Sequence, residues 1–140
     1  MKMRMMAGLM VVLGVALVLG GCASTSKGMS DEELIAQKTE ACLAAATAKD
    51  IDKLLTYYSE KFEHPQFGDK QGLKDFLDSA KESGYLDGLE IDMADAATTI
   101  DGETATVSPV YLSGSFGSAS IDFTIAKENG AWMITGMDIQ

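Results

Sequence analysis

The segment Ile121–Thr135 reads Ile-Asp-Phe-Thr-Ile-Ala-Lys-Glu-Asn-Gly-Ala-Trp-Met-Ile-Thr, and it decides the fold class. Large apolar residues occupy alternate positions on both sides of Asn129-Gly130, which is typical of strands with one buried face. Asn-Gly is also a strong signal for a two-residue hairpin turn. Pairing through this turn places Ile125 opposite Ile134 and keeps one apolar face continuous. The segment therefore predicts an antiparallel hairpin that covers a hydrophobic core.

The same alternation begins upstream, soon after Gly84. Leu89–Met93 alternates apolar and more polar residues, and Asp101-Gly102 supplies a second hairpin signal. Gly114-Ser115-Phe116-Gly117 is interpreted as a strand connection, because it lacks the spacing and context of a nucleophile elbow. The C-terminal part of the chain thus predicts a curved antiparallel sheet of about four strands.

The first half of the domain carries helix signals instead. Ser30 followed by Glu33 forms a capping box, and Asp50 and Asp69 are suited to begin two further helices. The predicted helices cover residues 31–48, 51–59 and 70–83. Three N-terminal helices followed by a sheet indicate an α+β domain over residues 30–140, with the helices packed on one sheet face.

The N-terminal segment has the organisation of a secretory signal. Lys2 and Arg4 precede Ala7–Gly21, a run of fifteen residues without charge. A helix that spans a bilayer needs about 20 apolar residues, so this run fits a signal-peptide core better than a permanent span. The alternative is an uncleaved signal anchor in which Cys22 remains a free thiol.

The end of this run, Leu19-Gly20-Gly21-Cys22, resembles the bacterial lipoprotein signal. The resemblance implies that residues 1–21 are removed, that Cys22 carries acyl chains such as palmitate, and that residues 22–29 form a lipidated tether. More than one acyl chain gives stable membrane anchoring. Ala23, rather than Asp, after the cysteine is similar to lipoproteins sorted to the outer membrane, where they face the periplasm.

Charge and cysteine content exclude several classes of protein. The chain has 11 basic and 21 acidic residues, and removal of Lys2 and Arg4 with the leader leaves a net charge of −12. Such an acidic body lacks the basic patch that nucleic acid or anionic lipid would require. With Cys22 acylated, Cys42 has no disulfide partner, and its position on an apolar helix face predicts a small buried residue.

The domain resembles the nuclear transport factor 2-like superfamily, which includes SnoaL-like and ketosteroid-isomerase-like proteins. The resemblance is carried by Asp50–Tyr58, by Phe67–Lys70 at the start of a helix, and by Asn129–Met137. It implies a cystatin-like roll, in which a curved sheet wraps around helices and leaves a conical cavity. It implies little about activity, because the superfamily contains isomerases, cyclases, dehydratases, binding modules and scaffolds.

Aromatic residues and the single histidine are the candidate pocket residues, because ligand pockets are mostly apolar with a few polar groups. They are Tyr57, Tyr58, Phe62, His64, Phe67, Tyr85, Tyr111 and Trp132. For each aromatic the alternative is ordinary core packing, and for His64 it is a loop or core position before Pro65. Tyr57 and Tyr58 are adjacent, so one is expected to face the core and the other the cavity mouth or solvent.

No pattern of residues predicts a catalytic or metal site. A single histidine cannot build a histidine-rich metal site. The strand carboxylates of Asp92, Asp95, Asp122 and Asp138 cannot be aligned with the catalytic Asp of ketosteroid-isomerase-like enzymes. No catalytic residue, metal ligand or cofactor is therefore assigned.

These observations favour a non-catalytic lipoprotein domain that binds a small apolar molecule or a protein partner. One alternative is an envelope structural or assembly module that uses the exposed face of its sheet to form a homodimer or to join a larger envelope complex. The other is a small-molecule isomerase, dehydratase or cyclase that uses an acid–base group in its cavity.

Overall fold

A computed structural model describes residues 28–140. The predicted signal peptide, the lipidation site at Cys22 and residues 23–27 of the tether lie outside the described residues. Among the helices formed by residues 28–140, none has the length and apolar character needed to cross a bilayer.

Three helices form in the described residues, and each begins at its predicted cap. They are α1 (Asp31–Thr47), α2 (Ile51–Leu55) and α3 (Lys70–Glu82). The Ser30 hydroxyl accepts a hydrogen bond from the Glu33 N–H, and the Glu33 carboxylate accepts one from the Ser30 N–H. Asp50 and Asp69 each accept a bond from the backbone N–H three residues ahead. The caps succeed because they satisfy N–H groups that the first turn of a helix leaves without partners.

Helix α2 is shorter than predicted, because the chain leaves it early to join the sheet. It ends at Leu55, and Ser59 N then donates to Ile134 O at 2.8 Å while Ile134 N donates to Tyr57 O at 3.0 Å. These two backbone bonds replace helical bonds, and they hold the intervening residue, Tyr58, beside the sheet.

The remaining residues form two antiparallel sheets. The smaller is a hairpin of β1 (Glu63–His64) and β2 (Gly68–Asp69), in the connection between α2 and α3. The larger contains β3 (Glu90–Asp92), β4 (Ala97–Asp101), β5 (Thr104–Gly114), β6 (Gly117–Glu128) and β7 (Ala131–Ile139). Its order is β3-β5-β6-β7, with β4 also paired to β5. It has five strands rather than about four, because β3 and β4 pair with separate parts of β5, residues 111–113 and 104–108.

One of the two predicted hairpin turns lies where the sequence predicts it, since Asn129-Gly130 joins β6 to β7. The turn between β4 and β5 is Gly102-Glu103, one residue later than the predicted Asp101-Gly102, because Asp101 pairs with Thr104 as the last residue of β4. Both Asn129 and Gly130 have positive φ, at 50° and 81°, as the favoured two-residue hairpin turn requires. Ile125 pairs with Ile134 across this hairpin, so the predicted register is confirmed.

One hydrophobic core lies between the helices and the inner face of the larger sheet. Its most completely buried apolar side chains are Ile35, Cys42, Phe62, Leu73, Val107 and Val110. Register shifts in the β5–β6 and β6–β7 pairings bend the sheet around the helices. The two layers pack closely at one end and separate at the other, where a cavity remains.

Candidate functional site

A cavity of about 460 Å³ lies between the helices and the inner face of the sheet. Its wall includes Cys42, Leu43 and Ala46 from α1, Ile51 and Leu54 from α2, Leu73, Phe76 and Leu77 from α3, and Ile91, Leu112, Ala119, Ile121, Phe123, Met137 and Ile139 from the sheet. Tyr58, Gln66, Phe67, Tyr85, Leu86, Leu89 and Phe116 from the connecting segments complete it. The volume lies in the range of small-molecule pockets, about 300–1,000 Å³.

The wall is almost entirely apolar. Within residues 28–140 its polar side chains are those of Cys42, Tyr58, Gln66 and Tyr85. No carboxylate, imidazole or ammonium group of the described residues lines it. A charged group buried there would find no counter-charge, which is costly in an apolar environment. The wall is therefore suited to an uncharged, largely apolar molecule.

The Tyr58 hydroxyl is a buried donor in this wall. Its ring meets Phe62 edge-on at 5.1 Å between centroids, and its hydroxyl donates to Met137 Sδ at 3.9 Å. Burial, and to a smaller extent the neighbouring Cys42, raises the pKa of Tyr58 well above its ordinary value. The hydroxyl therefore stays protonated at neutral pH, and its partner is a thioether, which is a weak acceptor.

Cys42 lies beside Tyr58 as a neutral thiol. Its side chain is buried, and burial raises the pKa of the thiol to about 12. No disulfide partner is present in the part of the chain that the structure describes. The predicted small buried residue is confirmed, and it also forms part of the cavity wall.

Two aromatic pairs form the rim of the cavity. The ring centroids of Phe67 and Phe76 are 4.5 Å apart, and those of Tyr85 and Phe116 are 5.4 Å apart. Phe76 and Tyr85 line the cavity yet remain 42% and 48% exposed. Side chains that meet both solvent and the cavity must lie at its mouth.

Three of the eight predicted pocket residues line the cavity, namely Tyr58, Phe67 and Tyr85. Tyr57 and Trp132 lie on another side of the core, near the start of α1. The adjacent tyrosines therefore point in different directions, and it is Tyr58 that meets the cavity.

The other three predicted residues, Phe62, His64 and Tyr111, do not line the cavity. Phe62 is fully buried against the Tyr58 ring, and Tyr111 is exposed on the outer face of the sheet. The His64 ring stacks on Phe67 at 4.5 Å, and its Nδ1 accepts a bond from Gln66 N at 3.1 Å. His64 thus supports the β1–β2 hairpin that holds Phe67 at the rim.

Trp132 belongs to a polar cluster at the start of α1. Its Nε1 donates to Asp31 Oδ1 at 3.0 Å, and Lys127 Nζ lies 3.3 Å from the same oxygen. Lys38 Nζ donates to Trp132 O at 2.7 Å. The hydrogen bond from Trp132, followed by the hydrogen bond and charge of Lys127, lowers the pKa of Asp31. This cluster fastens α1 to the β6–β7 hairpin.

Phe76, Phe116 and Met137 line the cavity but were not predicted to do so. The spacing of Phe76 from Leu73 does predict that both side chains lie on the apolar face of α3. Helical spacing cannot tell which apolar side chain meets a cavity and which meets a packed core. Phe116 lies in a turn rich in Ser and Gly, and nothing in its neighbourhood indicates a pocket.

The carboxylates of Asp92, Asp95, Asp122 and Asp138 do not line the cavity, and Asp95 lies in the turn between β3 and β4 and not in a strand as predicted. Asp122 accepts a hydrogen bond from Ser108 on the outer face of the sheet. Asp92 and Tyr111 adjoin a depression of about 570 Å³ on that face, which is larger than the cavity but more open to solvent. Among residues 28–140, no group of His, Cys, Asp and Glu is placed to hold a metal ion.

No family model and no curated protein sequence matches this chain. Solved structures do share its fold. A nuclear transport factor 2-like (NTF2-like) protein with a cystatin-like fold from Novosphingobium aromaticivorans is 18% identical, with a TM-score of 0.63 over 86% of this chain and 88% of that one. A ketosteroid isomerase-like protein from Erwinia carotovora atroseptica is 15% identical, with a TM-score of 0.63 over 80% of this chain and 96% of that one.

Bd1075 of Bdellovibrio bacteriovorus is 14% identical, with a TM-score of 0.65 over 76% of this chain. This chain corresponds to only 40% of the length of that protein. At such identities the likeness shows the fold alone. The described residues form an α+β domain with an NTF2-like, cystatin-like fold, and the predicted resemblance is confirmed at that level.

Proposed function

We propose that this chain is a membrane-anchored periplasmic lipoprotein whose domain binds a small apolar molecule without transforming it. The observation that carries the binding proposal is the apolar cavity of about 460 Å³ with an aromatic rim at its mouth. An apolar ligand that enters it would remove its own surface and that of the wall from water, which is favourable by roughly 25 cal/mol per Å².

The composition of the wall supports binding over acid–base catalysis. A general acid or base needs a pKa near the working pH and must reach its substrate within hydrogen-bond distance. Burial raises the pKa of both Cys42 and Tyr58, which moves them away from neutrality. The imidazole of His64 is engaged behind Phe67 instead of in the wall.

Co-purification tests the binding proposal with two matched alanines of α1. Ala46 lines the cavity, whereas Ala44 is exposed on the same helix. Ala46→Phe fills part of the cavity, and Ala44→Phe adds the same ring outside it. We expect the full chain and Ala44→Phe, purified from the native host, to release the same small molecule on solvent extraction, and Ala46→Phe to release much less. Equal background levels from all three, measured by mass spectrometry, would contradict the proposal.

The anchoring proposal rests on the lipoprotein-like sequence that ends at Cys22. Labelled palmitate should enter the unmodified chain and the Cys42→Ala variant, but not Cys22→Ser. Cys42→Ala is the matched control because it removes the other cysteine and leaves the signal intact. Unchanged labelling and membrane retention of Cys22→Ser would contradict acylation at that thiol.

Self-association through the outer face of the sheet is a second candidate function. The exposed Tyr111 ring favours it, because a large aromatic side chain on an open face is a common interface anchor. Analytical ultracentrifugation in detergent should then show a dimer for the full chain and a monomer for Tyr111→Ser. A monomeric full chain at high concentration would count against pairing.

A further inference from the structure

The Tyr58 hydroxyl stands out among the polar groups of the cavity, because it is buried and poorly paired. Its single hydrogen bond within residues 28–140 runs to Met137 Sδ at 3.9 Å. A buried hydroxyl ordinarily finds an oxygen or nitrogen acceptor, and a thioether is a weak substitute. Both Tyr58 and Met137 line the cavity. An oxygen of a ligand could therefore take the place of the sulfur.

The position of this hydroxyl is fixed by its surroundings. The Tyr58 ring packs edge-on against the fully buried Phe62, and its backbone is held between two bonds to Ile134 of β7. A donor that is already held in place loses little further freedom when a ligand binds. The remaining wall around it is apolar, so it is the only strong donor at the buried part of the described cavity wall.

The wall also restricts the charge of the ligand. Within the described residues it contains no cation that would compensate a carboxylate and no anion that would compensate an amine. We propose that the cavity binds uncharged, largely apolar molecules that carry an oxygen acceptor, and that the Tyr58 hydroxyl donates a hydrogen bond to this oxygen. This inference rests on the proposed binding function, and it specifies the class of ligand.

A matched set of eleven-carbon probes tests the inference. The probes are 2-undecanone, which carries one acceptor, undecane, which has none, and undecanoate at pH 8, which is anionic. Binding is measured to the full chain in phosphatidylcholine vesicles through ligand-dependent thermal stabilisation. The fluorescence of Trp132, the single tryptophan, reports unfolding. Equilibrium dialysis supplies the free concentration of each probe, so that partitioning into the vesicles is accounted for.

Tyr58→Phe should weaken binding of 2-undecanone by about 3- to 10-fold, the effect of one neutral hydrogen bond. It should leave undecane binding unchanged. Tyr57→Phe is the matched control, since it removes a hydroxyl from the adjacent residue, which does not line the cavity. Tyr57→Phe should change neither the affinity for 2-undecanone nor the affinity for undecane. Undecanoate should bind weakly to every variant.

Met137→Leu provides a test that does not depend on the folding of Tyr58→Phe. It removes the sulfur that competes for the hydroxyl, so 2-undecanone should bind more tightly while undecane does not. Equal 2-undecanone affinity in the unmodified chain and both variants would overturn the role of Tyr58, even if both neutral probes bind. Undecanoate binding as tight as that of the ketone would overturn the charge restriction. Failure of every probe to bind would overturn the proposed binding function itself.

Discussion

The same two elements, α1 and β7, build a closed end and a cavity end of the domain. At the closed end, Asp31 of α1 accepts a hydrogen bond from Trp132 of β7, and the layers are fastened together. At the cavity end, Cys42 of α1 and Ile139 of β7 line an open space. The two elements therefore change from close packing to separation along their own length.

The difference between the two ends lies in their side chains. The closed end combines a large buried ring, Trp132, with a charge cluster that has specific partners. The cavity end has small or aliphatic side chains over much of its wall, such as Ala46 and Ala119, and partly exposed rings such as Phe76 and Tyr85 at its rim. The contacts that stabilise the fold and the proposed ligand-binding cavity thus lie in different parts of one layered interface, so substitutions should affect stability and the proposed binding separately.

Truncation of a buried aromatic ring should give the largest loss in the free energy of unfolding. Phe62 is fully buried beneath Tyr58, so Phe62→Ala should lower the free energy of unfolding by about 3–5 kcal/mol. Phe76→Ala removes the same ring from the half-exposed rim and should cost less than about 1.5 kcal/mol. Chemical denaturation of both variants measures the difference. Equal losses would show that the rim is as well packed as the core.

Enlarging two adjacent alanines should distinguish the filled core from the cavity. Ala45 is buried in the core cluster, whereas Ala46 lines the cavity. Ala45→Phe overpacks the core and should cost about 1–3 kcal/mol. Ala46→Phe has space available and should change stability by less than about 1 kcal/mol. Thermal unfolding compares the two, and a large loss for Ala46→Phe would mean that the cavity does not accept an added ring.

This contrast also explains how far the sequence could predict the molecule. The caps at Ser30, Asp50 and Asp69 and the register at Ile125 and Ile134 depend on local patterns, and the structure confirms them. The residues around α2 could not predict that the helix ends early, because its end is determined by backbone hydrogen bonds to a strand that is distant in the sequence.

The cavity depends on where two layers separate, which is a property of sheet curvature and not of any single segment. Trp132 and Phe116 illustrate the difficulty. The first has the size and polarity of a pocket residue but is bound to Asp31 at the closed end, and the second lies in a turn but reaches the rim. The sequence pattern can assign an aromatic side chain to a buried or partly buried position. It cannot show whether that position lies in the packed core or in the cavity wall.

The backbone of α3 at Gly72 lies close to the backbone of Phe67 beside the rim. Replacing Gly72 with alanine should therefore destabilise the protein, although alanine usually stabilises a helix relative to glycine. A Cβ added at Gly72 would lie 1.8 Å from the carbonyl oxygen of Phe67. Ala is normally favoured over Gly in a helix by about 1 kcal/mol, yet Gly72→Ala must displace the segment that carries Phe67. We expect a net loss of about 1 kcal/mol and weaker ligand binding. Gly72→Ala with increased stability in chemical denaturation would contradict this.

The smallest expected effect is a pH dependence of the closed end. The hydrogen bond from Trp132, with the hydrogen bond and charge of Lys127, lowers the pKa of Asp31. Because the pKa is lower in the folded state, this group stabilises the fold above its unfolded pKa of about 3.9. The contribution is lost as the pH falls through the folded pKa.

Asp31→Asn isolates this charge, since Asn retains an oxygen that can accept the bond from Trp132. The unmodified chain should therefore lose more stability than Asp31→Asn between pH 6 and pH 2, measured by chemical denaturation at each pH. Because Asp31 and Lys127 are both partly exposed, added salt should reduce the difference. Parallel pH profiles for the two proteins would show that the Asp31 charge contributes nothing to the closed end, and that Trp132 is held there by packing and neutral hydrogen bonds.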